Sequence, residues 1–310
     1  MQKAASRRRD LIRDYSNRLL DKLAAKTDPD SPRTYGFEYE FLPESPPSPD
    51  CIDKTYNCLH RVGFHKKGKM FYNKEGMGVN FEPGGQIEYH SPPILPEDHP
   101  AFLATLDLIE NINETIRKEC GIHYLAKGYI SGRAKAPLCL SAGRYIKLHE
   151  RLSRTGTRGL EMMKGTASIH LHASITDTGE LPALFGLMQA LAKSEDFRMS
   201  PERRDIWNNT DPCRCGMPYA PVGRDTSPLD VIGEFVRVAV DADILGADIP
   251  FFESEAAGFE DFLYHLTTIF TDIRLNVDSA TLELRTPDSV PADLFFEKWK
   301  RFVDAVKTGV

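Results

Sequence analysis

The stretch that most constrains this chain is Asn80-Phe81-Glu82-Pro83-Gly84-Gly85-Gln86-Ile87-Glu88-Tyr89-His90-Ser91-Pro92-Pro93. A Pro-Gly-Gly turn leads into a short strand on which Gln86, Glu88 and His90 alternate with Ile87 and Tyr89. Successive side chains point to opposite sides of a strand, so the three polar groups share one face. Such a face looks into water or into a polar site, because unpaired carboxylates are costly to bury in a dry core. Three other stretches have the same design. Gly36-Phe37-Glu38-Tyr39-Glu40-Phe41 sets Glu38 beside Glu40, and Ser168-Ile169-His170-Leu171-His172-Ala173 sets His170 beside His172. Thr281-Leu282-Glu283-Leu284-Arg285 does the same with Glu283 and Arg285. In one sheet, these four strands would make a carboxylate-rich, cation-binding trough over an apolar layer.

The remainder of the chain is consistent with a globular protein built around that sheet. With 41% hydrophobic and 27% charged residues it has enough apolar material for a real core. A net charge of -6 disfavours nucleic acid as a partner. The basic start, Arg7-Arg8-Arg9, is not followed by the apolar run of a signal peptide. No stretch is apolar enough to span a membrane. The expectation is a cytoplasmic protein acting on small molecules, with homo-oligomerisation left open. The six cysteines, Cys51, Cys58, Cys120, Cys139, Cys213 and Cys215, are expected as reduced thiols. Cys51 and Cys58 with His60 and His65 match no standard zinc spacing.

Hydrophobic periodicity places helices over residues 11–25, 51–65, 100–120, 140–152, 181–192, 228–240, 259–270 and 291–307. The first has Leu11, Ile12, Tyr15, Leu19, Leu20 and Leu23 on one stripe and is expected to cap the core. Residues 123–130 read as a strand, 203–216 as irregular and polar, and 273–285 as one or two strands. Residues 43–49 form a proline-rich loop. The glycines at 76, 78, 84 and 85 are not a phosphate-binding loop, since no Gly-Lys-Ser/Thr follows. No internal repeat is present, and the reading is a single α+β domain over 1–310 around an antiparallel or mixed sheet, with residues 1–30 as an N-terminal amphipathic helix.

Converging carboxylates repel strongly unless cations sit among them. Glu38, Glu40, Glu88 and Glu283 could supply the oxygen ligands that magnesium takes. Arg285 would then lie where a transferring phosphoryl group carries its charge. Metal-assisted phosphoryl transfer is therefore a reasonable reading of the residues, although a single Glu-x-Glu pair also arises on ordinary solvated strands. Glu82 before the turn either caps it or joins the metal site, and His265 reads as a packed histidine.

Several segments in order resemble the glutamate–cysteine ligases, in particular the plant and proteobacterial branch of the carboxylate–amine ligase superfamily. They are Gly36-Phe37-Glu38-Tyr39-Glu40, then Asn80 to Glu88, Gly143-Arg144-Tyr145, and Leu160-Glu161-Met162-Met163 with Thr166. Ile206-Trp207-Asn208-Asn209-Thr210-Asp211-Pro212-Cys213-Arg214-Cys215-Gly216 follows, then His265-Leu266-Thr267-Thr268-Ile269-Phe270, Arg274-Leu275 and Leu282-Glu283-Leu284-Arg285.

The resemblance implies a strongly curved antiparallel sheet, a glutamine-synthetase-like half-barrel backed by helices. It implies that ATP phosphorylates the γ-carboxylate of glutamate and that the amine of cysteine displaces the phosphate, in the glutathione pathway. By the same resemblance Glu38, Glu40, Glu88 and Glu283 hold Mg2+ with His170 nearby, and Arg285 stabilises the transferring group and contacts ATP. Arg144 and Arg214 pair with substrate carboxylates, while Gln86, His172 and Trp207 line the substrate site. Two departures keep alternatives open. Relatives carry an amide where this chain has His172, and they continue well beyond the Leu-Glu-x-Arg segment as helical structure. A different amine acceptor, or a non-catalytic relative that binds glutamate or nucleotide, are the competing readings.

Overall fold

All four polar-faced stretches contribute strands, and these strands belong to one sheet. The structure is a computed structural model and describes residues 2–309. The first third comprises α1 (Gln2–Ala24), β1 (Tyr35–Pro43), α2 (Pro49–Arg61), β2 (His65–Lys67), β3 (Met70–Tyr72), β4 (Gly78–Phe81) and β5 (Ile87–His90). Next come α3 (His99–Cys120), β6 (Tyr124–Leu125), α4 (Gly143–Arg154), α5 (Gly159–Gly165), β7 (Ile169–Ser174) and α6 (Leu181–Leu191). Then follow α7 (Pro201–Asn208), β8 (Cys215–Gly216), α8 (Pro228–Asp241) and α9 (Phe259–Leu266). Last are β9 (Phe270–Thr271), β10 (Ile273–Asn276), β11 (Thr281–Leu284) and α10 (Ala292–Gly309). The sheet has nine strands in the order β10-β11-β7-β1-β5-β4-β3-β2, with β6 alongside β1. Its pairings are antiparallel, and its two free ends make it an open sheet rather than a closed barrel. The class is α+β.

The apolar face of the sheet carries the core. Tyr35, Phe37 and Tyr39 of β1, Ile87 and Tyr89 of β5, Ile169 and Leu171 of β7, and Leu282 and Leu284 of β11 are all buried. The helices α3 and α10 cover them. Phe37 meets Phe102, Phe295 and Trp299 edge-on at 5.0–5.9 Å between ring centres, and Phe102 stacks on Trp299 at 4.7 Å. Offset and edge-on aromatic pairs of this kind add to the burial term. The α3 stripe is the one its periodicity predicts, with Phe102, Leu106, Ile109, Ile112 and Ile116 buried. Asp98 caps its start by accepting from the Ala101 N–H at 3.0 Å, and Gly121 ends it in the left-handed region.

A second, smaller cluster stands on the other side. Leu148 and Leu152 of α4, Met162 and Met163 of α5, and Ile206 and Trp207 of α7 pack together there. Some expectations need correction. Residues 201–208 are helical, not irregular, because Ser200 caps the Arg203 N–H and Pro201 fits the first turn. Only Tyr124–Leu125 of the 123–130 segment pairs as a strand, and α9 stops at Leu266 so that Phe270–Thr271 can pair with β8. The helix α1 starts at Gln2, well before residue 11. Among the described residues no helix is long and apolar enough to cross a membrane.

Candidate active site

The register of the strands decides which polar groups meet. Glu40 lies opposite Glu88, and Glu38 opposite both His90 and His170. His172 lies opposite Glu283, which lies opposite Arg274 on β10. The polar alternates of five strands thus form a checkerboard facing α4, α5 and α7. Glu38, Glu40, Gln86, Glu88, Arg144, His170, Trp207 and Arg285 all line one cavity of about 340 Å³ between them.

The Pro-Gly-Gly turn packs closely against α5 at the wall of this cavity. A Cβ on Gly84 would come within 2.6 Å of the Lys164 backbone, and Gly85 has a φ of +83°. Both positions therefore require glycine. The turn lets Gln86 bind α5: its amide nitrogen donates to the carbonyls of Met163 and Thr166 at 3.2 and 3.1 Å, and its oxygen accepts from Gly84 N–H. Gln86 is spent on holding the trough wall.

Within the trough His170 is the hub. Its Nδ1 lies 2.5 Å from Glu38 and 3.3 Å from Glu283, and its Nε2 meets Ser168 Oγ at 2.7 Å. Glu40 accepts from the Ser168 N–H at 2.6 Å and hydroxyl at 2.9 Å. His90 bridges Glu88, at 3.1 Å, and Glu38, at 3.5 Å. Glu283 is fully buried and bonded to Arg285 and, at 2.6 Å, to Arg274. His172 touches Thr281 at 3.3 Å, and its Nε2 has no hydrogen-bond partner among the described residues.

A comparison with known families matches residues 34–193, just over half of the chain, to glutamate-cysteine ligase family 2 (GCS2). The chain belongs to that family. Curated relatives named as chloroplastic glutamate–cysteine ligases include one from Solanum lycopersicum, 27% identical over 295 residues. That alignment covers 83% of this chain and 54% of the relative. The one from Arabidopsis thaliana is 25% identical over 260 residues, with 72% and 48% covered, and the one from Medicago truncatula 27% over 275, with 77% and 50%. The chain spans about half the length of the curated relatives it matches.

The electrostatics of this family member's trough suit a hard divalent cation. Burial, with Glu88 and Glu40 next, pushes the Glu82 carboxyl well above the usual range, and burial with Glu88 also raises Glu40. Burial alone would raise Glu38 too, but bonds from His170 and His90 and the charge of Arg274 hold it well below. Burial disfavours a charged His90, yet Glu88 and Glu38 raise it well above an ordinary imidazole. The acidic centre is thus short of positive charge, and Glu88 and Glu38 draw the His90 imidazole toward its protonated form. Three sets, Glu38–Glu88–His90, Glu40–Glu88–His170 and Glu38–His172–Glu283, each bring ligand atoms within 4.8 Å of one another. Oxygen donors dominate, as magnesium or manganese requires.

Not every residue named from the sequence lines the cavity: His172 and the fully buried Glu283 are not among its lining residues, although both are bonded to groups beside it. Arg214 lies elsewhere: it is fully buried, donates to Asp211 at 3.0 Å and to the Asp243 carbonyl, and does not line the cavity. Trp207 forms part of the wall and donates to the Phe270 carbonyl at 3.2 Å. Sequence reasoning set His90 on the polar face of its strand without a ligand role and gave no role to Arg274, Asn80 or Lys69; all four line the cavity. Arg274 was legible in principle, since Ile273-Arg274-Leu275-Asn276 alternates as the other strands do.

Proposed function

We propose that this chain is an ATP- and magnesium-dependent ligase that couples the γ-carboxylate of glutamate to the amine of cysteine. The observation that carries the reading is the trough, in which an acidic centre short of positive charge is flanked by Arg285, Arg274 and Arg144. Family membership and the names of the relatives agree with it. The reading includes a strongly curved sheet with the trough on its concave face, and the described chain acting as one catalytic domain.

Glu38, Glu40 and Glu88, with His170 and Glu283 within reach, would hold Mg2+, which offsets the charge of the phosphates. A γ-carboxylate oxygen of glutamate attacks the terminal phosphorus of ATP, the bond to the bridging oxygen breaks, and ADP leaves. The amine nitrogen then attacks the acyl carbon, the carbon–oxygen bond to phosphate breaks, and the amine loses a proton. Arg285 serves the first step. Its Nη1 is anchored by Glu283, which fixes the guanidinium at the cavity wall where it would meet the phosphoryl oxygens. Arg144 holds a substrate carboxylate.

The test is phosphate release from ATP with Mg2+ and glutamate across a panel of amines, with products identified by mass. Release that requires cysteine and yields γ-glutamylcysteine supports the full reading. Release with another amine instead refutes the acceptor, and no release with any amine refutes the ligase. Arg285→Ala should lower kcat far more than ATP affinity; equal losses would remove its transition-state role.

A further inference from the structure

Arg285 is the first residue beyond β11, where regular pairing with β10 and β7 ends. Pro287 follows two positions later and has no N–H to extend a ladder. The segment is nevertheless gripped from two sides by α7. The Arg285 N–H donates to the Asp272 carbonyl at 2.9 Å. Arg204 holds the Asp272 carboxylate in a two-pronged contact, Nη2 to Oδ2 at 2.8 Å and Nη1 to Oδ1 at 3.2 Å. On the other side, Arg203 Nη1 donates to the carbonyls of Thr286 and Pro287 at 3.2 and 3.1 Å and to the Asp288 carboxylate at 2.7 Å. Its Nη2 reaches the Arg285 carbonyl at 3.5 Å. Successive helical residues point about 100° apart, so two adjacent arginines can reach different sides of one segment. Arg203 is fully buried and Asp272 nearly so, and neither arginine lines the trough.

We propose that Arg204, together with Arg203, is a positioning residue for Arg285: the pair holds the backbone from which the Arg285 guanidinium reaches the transferring phosphoryl group. The inference rests on the ligase reading above and on the role of Arg285 in it. Glu283 fixes the tip of the Arg285 side chain, but a guanidinium also moves with its Cα. Stabilising a transition state requires charge set in place before the reaction, to within a fraction of an ångström. The α7 contacts supply that constraint, on the amide side of Arg285 through Asp272 and on its carbonyl side through Arg203. The residue types fit this task better than they fit simple packing. Taking a guanidinium out of water is costly, and an apolar side chain would fill the Arg203 position without that cost. A planar fork, unlike a point charge, fixes the direction of the carboxylate it binds, and with it the Asp272 backbone. The same helix carries Trp207 of the trough wall, whose ring lies 5.2 Å from the Arg203 guanidinium. Wall and arginine are thereby held by one element.

The test uses the full chain and phosphate release with Mg2+, ATP, glutamate and the amine that supports turnover. Arg204→Lys keeps a countercharge for Asp272 but gives up the fork, and Arg204→Gln removes the charge. Because the Arg204 side chain is 31% exposed and the lysine variant leaves no buried acid unpaired, that variant should unfold within a few degrees of wild type. Its kcat should fall severalfold and that of Arg204→Gln about tenfold or more, with KM for ATP and glutamate within about twofold of wild type. The deciding measurement is a double-mutant cycle with Arg285→Ala. Once Arg285 is gone, either Arg204 substitution should leave the residual kcat unchanged, because its effect passes through Arg285. Equal proportional losses in both backgrounds, or a wild-type kcat in both Arg204 variants, overturn the inference while the ligase reading stands. A wild type that releases no phosphate with any amine overturns both.

Discussion

Asp211→Asn is the substitution that separates two readings of Arg214. Sequence resemblance makes Arg214 a ligand of a substrate carboxylate, whereas the structure gives it an internal partner. Both residues are fully buried. One oxygen of Asp211 accepts from Arg214 Nη1 and from Arg151 Nε, each at 3.0 Å, and the other accepts the Cys213 N–H at 3.1 Å. Arg151 has Asp243 at 2.6 Å as a second acid, but among the described residues Arg214 pairs with Asp211 alone. Asparagine leaves a buried guanidinium without a countercharge, and breaking such a pair from one side costs about 3–5 kcal/mol. For a chain of 310 residues that corresponds to a fall of roughly 5–8 °C in Tm. Arg214→Met removes the cation and leaves Asp211 with Arg151, so its loss should be distinctly smaller. Urea and thermal unfolding of both variants, with calorimetric glutamate binding, make the comparison. If Asp211→Asn costs under about 1 kcal/mol and Arg214→Met abolishes glutamate binding in a stable protein, Arg214 is a substrate residue and the reasoning is wrong.

Glu88 is common to two of the three ligand sets, so Glu88→Gln should raise the Mg2+ concentration for half-maximal binding about tenfold or more, a cost of about 1.4 kcal/mol; an unchanged isotherm would take it out of the metal site. Trp299→Ala removes a ring that is 1% exposed and should cost about 3–5 kcal/mol in urea unfolding, while turnover per folded molecule stays normal. Burial, and then the charge of Arg214, holds His265 at about 4. An unfolded imidazole titrates near 6.5, so as pH falls the unfolded chain takes up this proton first. The contribution is intact above that value and declines by up to about 3 kcal/mol on approaching pH 4. His265→Gln should flatten this part of the stability profile relative to wild type, and identical profiles would refute the assignment.

The sheet and trough were legible because period-two alternation is a local property that survives folding. Spacing alone sets Glu38 and Glu40, Glu88 and His170 on the polar faces of their strands. What was not legible depends on distant partners. Arg214 sits in a motif-like segment, yet its guanidinium turns inward to an acid three residues earlier, and nothing in the segment says which side is dry. Gln86 shares a face with Glu88 but is consumed by α5 carbonyls, since the Pro-Gly-Gly turn brings that helix close. The helix at 201–208 was hidden by its polar composition, although Ser200-Pro201 signals its start.

The alternation of the central strands has a consequence for how this molecule can change. In β1 the odd positions, Tyr35, Phe37, Tyr39 and Phe41, belong to the core, and the even positions, Glu38 and Glu40, face the trough. Sliding such a strand by one residue would exchange the two sets, a cost on both faces at once, so the register is held from both sides. Fold and chemistry are therefore written on separate letters of the same words. Trough positions are free to be rewritten for another donor set or substrate, so long as they stay polar, without disturbing the aromatic layer underneath. The same sheet is in that sense a reusable frame, and its even-numbered residues in β1 are the part on which a new specificity would be spelled.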